Sequence, residues 1–192
     1  MELATVFDGC RTYRRFTQEP LPEGLVTTLA DVARKRSTGR NAQPLRFITV
    51  EKPDHVEAMK PLLHWAAALP KEIGTPHPDE QPVAFVVVLK PAQDNSLITG
   101  INVGIALDAM AIVAWEKHVG SAILAAVDRA KIAALLHVPE NLDVAAVLAL
   151  GYPAMKSTLV KGEKGKSLDY YVDKNRDYYV PKLSLDETVS RQ

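Results

Sequence analysis

The chain has 192 residues, 47% apolar and 24% charged, the proportions of an ordinary globular domain that can bury a core without disulfides or a structural metal. Lysine plus arginine and aspartate plus glutamate stand at 23 each, so no net field draws the protein to nucleic acid or to an anionic membrane, and any basic site is local. A single cysteine, Cys10, excludes an intrachain disulfide framework and fits a reducing compartment.

Leu3, Val6 and Phe7 sit at helical spacing and predict a short amphipathic helix over 2–9, stopped at Gly9. The opening MELATVFDGC carries acids and no basic segment leading into a long apolar core, so a signal peptide is not expected and the cytoplasm is the default location. After a basic stretch, Pro20 and Pro22 punctuate the start of a helix over 22–35, striped by Leu25, Leu29, Val32 and Ala33. Ser37–Pro44 reads as loop and Leu45–Val50 as strand. Asp54 with Glu57 has the form of a capping box opening a third helix over 54–69, and 70–82 is a proline-rich loop. The unbroken apolar run Val83–Leu89 predicts a strand buried on both faces.

Residues 97–118 form the longest predicted helix, apolar nearly all round, which therefore needs cover on every side; a second subunit is one source. Its stretch Ile101–Trp115 is interrupted by Asn102, Gly104 and Asp108 and reads as too short and too polar to span a membrane. A short strand over Gly120–Leu124, a helix over 128–137 capped by Asp128, and a buried strand over Val144–Leu150 follow, closed by Gly151 and Pro153. Residues 156–166, rich in Lys and Gly, read as a mobile loop. Tyr170–Val172 and Tyr178–Val180 bracket Asp173–Asp177 as an exposed hairpin, and Ser184 with Glu187 forms a capping box for a terminal helical turn. Helices alternating with a few buried strands predict an α+β, three-layer domain over 1–192 with a mobile C-terminal extension from about 155.

The strongest chemical feature is RTYRRFT at 11–17. Arg11, Arg14 and Arg15 with Thr12 and Thr17 offer forked donors that match phosphate geometry, although the segment alone also fits a solvated basic turn. In STGRNAQP, the neutral groups of Ser37, Thr38, Asn41 and Gln43 around Gly39 suit the edge of a polar heterocycle better than a metal, and alone also fit a plain loop. His55, His64, His77, His118 and His137 are scattered without ligand spacing, so zinc is not expected; His64 and His137 fall late in predicted helices and read as structural. Cys10 has no evident histidine partner and is not expected to be a nucleophile. No GxSxG elbow, Walker loop or GxGxxG fingerprint is present. Lys182 is placed by Pro181 just ahead of the capped turn, whereas Lys161, Lys164 and Lys166 read as a solvated flap.

Taken in order, these segments resemble the nitroreductase family of FMN enzymes. Arg11, Thr12, Arg14 and Phe16 match the family's R-R-S-x-R-x-F, with Cys10 where a first arginine often stands. Thr38, Asn41, Gln43 and Pro44 match P-S-x-x-N-x-Q-P-W, with Ser37 replacing Pro and Leu45 replacing Trp. INVGIALDAMAIVAWEKHVGS is similar to the family's dimer-forming helix and its Gly-Ser turn, VPENLDVAAVLALGYP to its strand ending in Gly-Tyr-Pro, and YVPKLSLDETV to V-P-K-R-x-L-E-E, with Leu183 in place of Arg. Each motif is weak alone; five in order over residues 2–190 are specific.

The resemblance implies a nitroreductase-like α/β/α fold with a central, mostly antiparallel sheet and a long buried dimer helix. It implies that Arg11 and Thr12 meet the FMN phosphate or ribityl chain and that Arg14 reaches the pyrimidine edge, where a cation stabilises the reduced flavin. Thr38, Gly39 and Asn41, with Gln43, are then expected against the flavin from the other subunit of a homodimer, the Ala125–Ala126 backbone facing N5, and Lys182 near the phosphate. Loss of the family cations at Cys10 and Leu183 makes Arg11 and Lys182 more important. No acid–base residue is required: NADH or NADPH passes hydride to N5 and leaves, and a small acceptor (a nitroaromatic, a quinone or a similar oxidised compound) takes its place, which implies ping-pong kinetics. The alternative is a non-catalytic flavin-binding sensor or carrier on the same fold.

Overall fold

The computed structural model describes residues 3–190; Met1, Glu2, the side chain of Leu3 and residues 191–192 lie outside the described residues, and with them part of the first predicted helix. In chain order the elements are α1 (Leu3–Gly9), α2 (Leu25–Arg34), β1 (Arg46–Val50), α3 (Pro53–Met59), α4 (Lys71–Gly74), β2 (Ala84–Pro91), α5 (Leu97–Glu116), β3 (Gly120–Leu124), α6 (Arg129–Leu135), β4 (Leu142–Gly151), β5 (Ser157–Lys161), β6 (Tyr171–Val172), β7 (Tyr178–Lys182) and α7 (Leu185–Thr188).

Strands β1, β2, β4 and β3 lie in that order in one fully antiparallel sheet. Strand side chains alternate between faces, so the continuous apolar run of β2 serves two cores. Ala84, Val86 and Val88 pack with Leu29 of α2 and Met110 of α5. Phe85, Val87 and Leu89 pack with Met59 of α3 and Ile132 of α6. The result is the helix–sheet–helix sandwich and antiparallel sheet expected from the sequence. A bulge opposite Val88/Leu89 pairs Val88 with Ala146 and Leu89 with Val144, which skips Ala145 and reverses the alternation of β4 at that point.

Four sequence expectations are corrected. The helix placed over 54–69 stops at Met59; a 3₁₀ turn over Lys60–Leu62 follows, and Leu63 is extended and bridges to Val127. Pro61 lacks the N–H that another α-turn needs. The helix starts at Pro53 rather than from an Asp54–Glu57 box, since Asp54 accepts the N–H of His55 and Glu57 pairs with Lys60. Asp128 occupies the N-cap of α6 without capping it, its carboxylate being taken by Lys131 at 3.0 Å and His64 at 3.3 Å. The loop expected over 156–166 contains β5, which pairs in parallel with β7, Ser157 opposite Tyr178 through Lys161 opposite Lys182. That partner lies 21 residues away, and no local pattern announces it. With β6 it forms a second, three-stranded sheet.

Helix α5 packs Asn102, Ala106, Met110 and Ala114 into the core, capped by Ser96, whose hydroxyl accepts the N–H of Thr99. Its opposite face stays open: Leu97 is 79% and Ile98 54% exposed, and Ile101 lies beside them. At 20 residues and mean hydropathy 1.9 it meets the length and composition of a membrane span, contrary to the sequence estimate. Here it is a core helix, with one side packed against α2 and the sheet.

Candidate active site

Segment 11–17 is extended rather than turned. Its backbone runs beside the end of the sheet: Tyr13 N–H donates to Ser121 O (2.9 Å), Thr17 N–H to Tyr152 O (2.8 Å), and Arg15 O accepts from Ala154 N–H (3.0 Å). Two glycines opposite each other in the β3–β4 ladder make room for it. A Cβ at Gly120 would lie 3.0 Å from Tyr13 Cβ, and one at Gly151 would lie 2.8 Å from Phe16 Cβ. Tyr13 stacks on Trp115 at 5.0 Å between centroids, and Phe16 is fully buried. Burial of such a ring stabilises by about 1.5–3 kcal/mol, so these two aromatics anchor the basic segment.

The anchoring separates the arginines. Arg15 turns inward, pairing with Glu80 at 2.9 Å and Asp177 at 3.6 Å and donating to the carbonyls of Asn175 and Arg176. Arg176 binds the other oxygen of Glu80 at 2.8 Å. Burial is the largest single influence on Glu80 and pushes its carboxyl up, but hydrogen bonds from Arg15, His77 N–H and Arg176 together hold it below the ordinary value.

Arg11, Thr12 and Arg14 face the other way and meet Lys182, from the far end of the chain, in one cavity of about 190 Å³ shared with Cys10, Ser157, Tyr170 and Val180. Among the described residues none of the three cations is within ion-pair distance of a carboxylate. Arg11 reaches only the carbonyl of Phe7, and its Nε is buried without a partner. The Nε atoms of Arg15 and Arg176 share that condition, but Glu80 balances their charge. Arg14 lies over the rings of Tyr170 at 4.4 Å and Tyr178 at 5.0 Å. Burial, then the Asp108 charge, push the Cys10 thiol up against the opposing pull of Arg11, which disfavours the thiolate a nucleophile needs.

The other two sets of sequence-selected residues lie elsewhere on the chain. Gly39–Asn41 forms a 3₁₀ turn whose Gly39 N–H donates to Asn102 Oδ1 at 3.1 Å, while Thr38 Oγ1 accepts from Gln43 N–H at 3.1 Å. A Cβ at Gly39 would lie 2.6 Å from Ile98 Cγ2, so α5 fixes this glycine. Arg40, Asn41 and Gln43 hold φ of 54°, 54° and 48°, in the left-handed region, which costs about 1–2 kcal/mol at Arg40 and Gln43 and less at Asn41. Thr38 and Gln43 border a separate cavity of about 520 Å³ between α2, β1 and α5. Ala125 and Ala126 follow β3; Ala126 O accepts from His64 N–H at 3.0 Å and Ala125 O from Arg129 at 2.8 Å. Among the described residues, the cavity that holds Arg11, Thr12, Arg14 and Lys182 is lined by neither the Thr38–Gln43 turn nor Ala125–Ala126.

The family model of the nitroreductase family matches residues 9–152, a span that runs from the basic segment to the Gly-Tyr end of β4. The chain belongs to the nitroreductase family. It is thereby an oxidoreductase by class. An NADH dehydrogenase of Thermus thermophilus is 26% identical over 179 residues, covering 75% of this chain and 83% of that protein. A nitroreductase family protein of Clostridium novyi shares the fold with a TM-score of 0.66 at 22% identity, over 80% of this chain and 86% of that one. An oxidoreductase described as containing FMN superposes with a TM-score of 0.61 at 19% identity, over 78% and 76% of the two chains.

The nitroreductase match stops short of Ser157, Tyr170, Tyr178 and Lys182, so the second sheet that closes the basic cavity lies beyond the matched span. Of these, sequence reasoning selected only Lys182. Tyr170 and Tyr178 read as an exposed hairpin, yet Tyr178 is 2% exposed and Tyr170 half-buried. Two tyrosine pairs flanking the turn were the available signal; what they pack against is non-local.

Proposed function

We propose that this chain is an FMN-dependent oxidoreductase that takes hydride from NADH or NADPH and delivers it to a small oxidised acceptor such as a nitroaromatic or a quinone. The observation that carries the reading is the convergence of Arg11, Thr12, Arg14 and Lys182 on one cavity in which no described carboxylate balances them. Three cations and a hydroxyl left unneutralised, one cation with a buried orphan Nε, form a donor set for a phosphate monoester. FMN, when bound, supplies the hydride relay. Arg11, Thr12 and Lys182 bind its phosphate, and Arg14 offers positive charge to the pyrimidine edge. Thr38, Gly39, Asn41 and Gln43 supply neutral hydrogen-bonding groups to the ring from the partner subunit, and the Ala125–Ala126 backbone offers its N–H groups.

The same reading makes the protein a homodimer. The open face of α5 carries Leu97, Ile98 and Ile101, with Gly100 and Gly104 one turn apart and empty space where their Cβ atoms would stand. A large exposed apolar face beside two glycines favours close approach of a second copy. That copy is also what would join the Thr38–Gln43 turn to a basic cavity. The cavity of about 700 Å³ bounded by His64, Trp65, Lys71, Thr75 and Gln81 gives an acceptor room.

The test is an absorbance spectrum and an FMN titration of the purified protein, followed by NAD(P)H oxidation with a quinone or nitroaromatic. A flavin spectrum, a lower FMN affinity in Arg14→Ala and ping-pong kinetics are expected. A protein that stays colourless after incubation with FMN overturns the reading, and one that binds FMN but turns over no NAD(P)H is a carrier or sensor instead.

A further inference from the structure

Arg14 is held by two aromatic faces and, among the described residues, by no carboxylate. This differs from its neighbour Arg15, which is neutralised by Glu80 and Asp177. The difference is chemical. A carboxylate would fix a guanidinium but would also compete with any anion brought to it. The negative face of an aromatic ring attracts the cation at these distances and keeps it oriented, yet leaves its N–H groups and full charge available. Burial pushes the Tyr178 phenol up against the opposing pull of Arg14, so it stays un-ionised. Tyr170 also borders the cavity itself and accepts a hydrogen bond at its hydroxyl from Ala68 N–H at 3.3 Å, which ties the start of β6 to the turn before α4. Tyr170 meets Tyr178 at 5.7 Å, so the two rings form one corner.

We infer that Tyr170, backed by Tyr178, is a positioning residue that holds Arg14 oriented and unpaired for the phosphate-bearing flavin; the inference rests on the functional reading above. Tyr170 and Tyr178 lie beyond the matched family span 9–152, beside and within the second, three-stranded sheet. Their hold on Arg14 offsets part of the loss of cations at Cys10 and Leu183 by keeping a remaining one from being neutralised.

The test is FMN titration of apoprotein, with the flavin midpoint potential as a second readout. Tyr170→Leu weakens FMN about fivefold, the worth of one partly buried cation–ring contact, and shifts the potential negative. Tyr170→Phe, which keeps the ring and loses only the Ala68 tether, retains wild-type values. In an Arg14→Ala background Tyr170→Leu has no further effect, because the contact is already gone. Fluorinated phenylalanines at position 170 keep the shape and drain the ring's negative face, so affinity falls with each fluorine; this series decides the matter even if the leucine variant folds poorly. Unchanged affinity across the series, or an equal Tyr170→Leu loss with and without Arg14, overturns the inference while leaving the functional reading standing. Wild-type protein that binds no FMN overturns both.

Discussion

The close approach of Phe16 to Gly151 makes the position of the basic segment testable through one methyl group. In Gly151→Ala the new Cβ lies 2.8 Å from Phe16 Cβ, 2.9 Å from Cδ1 and 3.0 Å from Cγ. Carbon atoms in contact prefer about 3.5–4.0 Å, so three atoms overlap at once. Phe16 has no exposed surface through which to withdraw, and its backbone N–H is held by Glu80 O at 2.9 Å. Overpacking of this kind costs about 1–3 kcal/mol and the entropy gained on replacing a strand glycine returns about 0.5–1 kcal/mol, so mid-range values leave a net loss of about 1–2 kcal/mol. For a domain of this size that corresponds to a fall in Tm of roughly 2–8 °C in calorimetry. Because Arg14 and Phe16 are two residues apart on one extended segment, FMN affinity falls as well. A Gly151→Ala protein with a Tm at or above wild type refutes the packing argument.

Glu80→Gln leaves Arg15 and Arg176 partly buried without their shared carboxylate and lowers stability by about 2–3 kcal/mol, between the surface and fully buried limits for ion pairs, read by denaturant unfolding at pH 7. Because the folded carboxyl titrates below its unfolded value, its stabilisation is present above the unfolded value, about 4.3, and is lost as pH falls through the folded one; wild type weakens over that acid window, and the contribution is absent from Glu80→Gln. Ile101→Arg places a charge on the open face of α5 and yields a monomer with weakened FMN binding in analytical ultracentrifugation; an FMN-loaded wild-type monomer would contradict the dimer. With its thiol pushed up, Cys10 reacts with iodoacetamide at pH 7 more slowly than free cysteine, and a faster rate would reassign it as a reactive thiol.

The sequence by itself determined what depends on neighbouring residues. The apolar stripe of α2, the two-faced run of β2, the length of α5 and the Ser184–Glu187 capping box are periodic or short-range, and all four stand in the structure. The helix over 54–69 failed locally too, because Pro61 interrupts a stripe that otherwise continues. The choice of Arg11, Thr12, Arg14 and Lys182 was also legible, through motif order, and the four do share a cavity. What only tertiary structure decided is which partners hold each arginine. Arg14 and Arg15 are adjacent, chemically identical and indistinguishable by composition. An extended backbone points them to opposite sides, one toward Glu80 and Asp177 and one toward Tyr170 and Tyr178. Those partners lie 65 or more residues away in sequence. Their identity is a matter of packing distance, which a linear pattern does not carry.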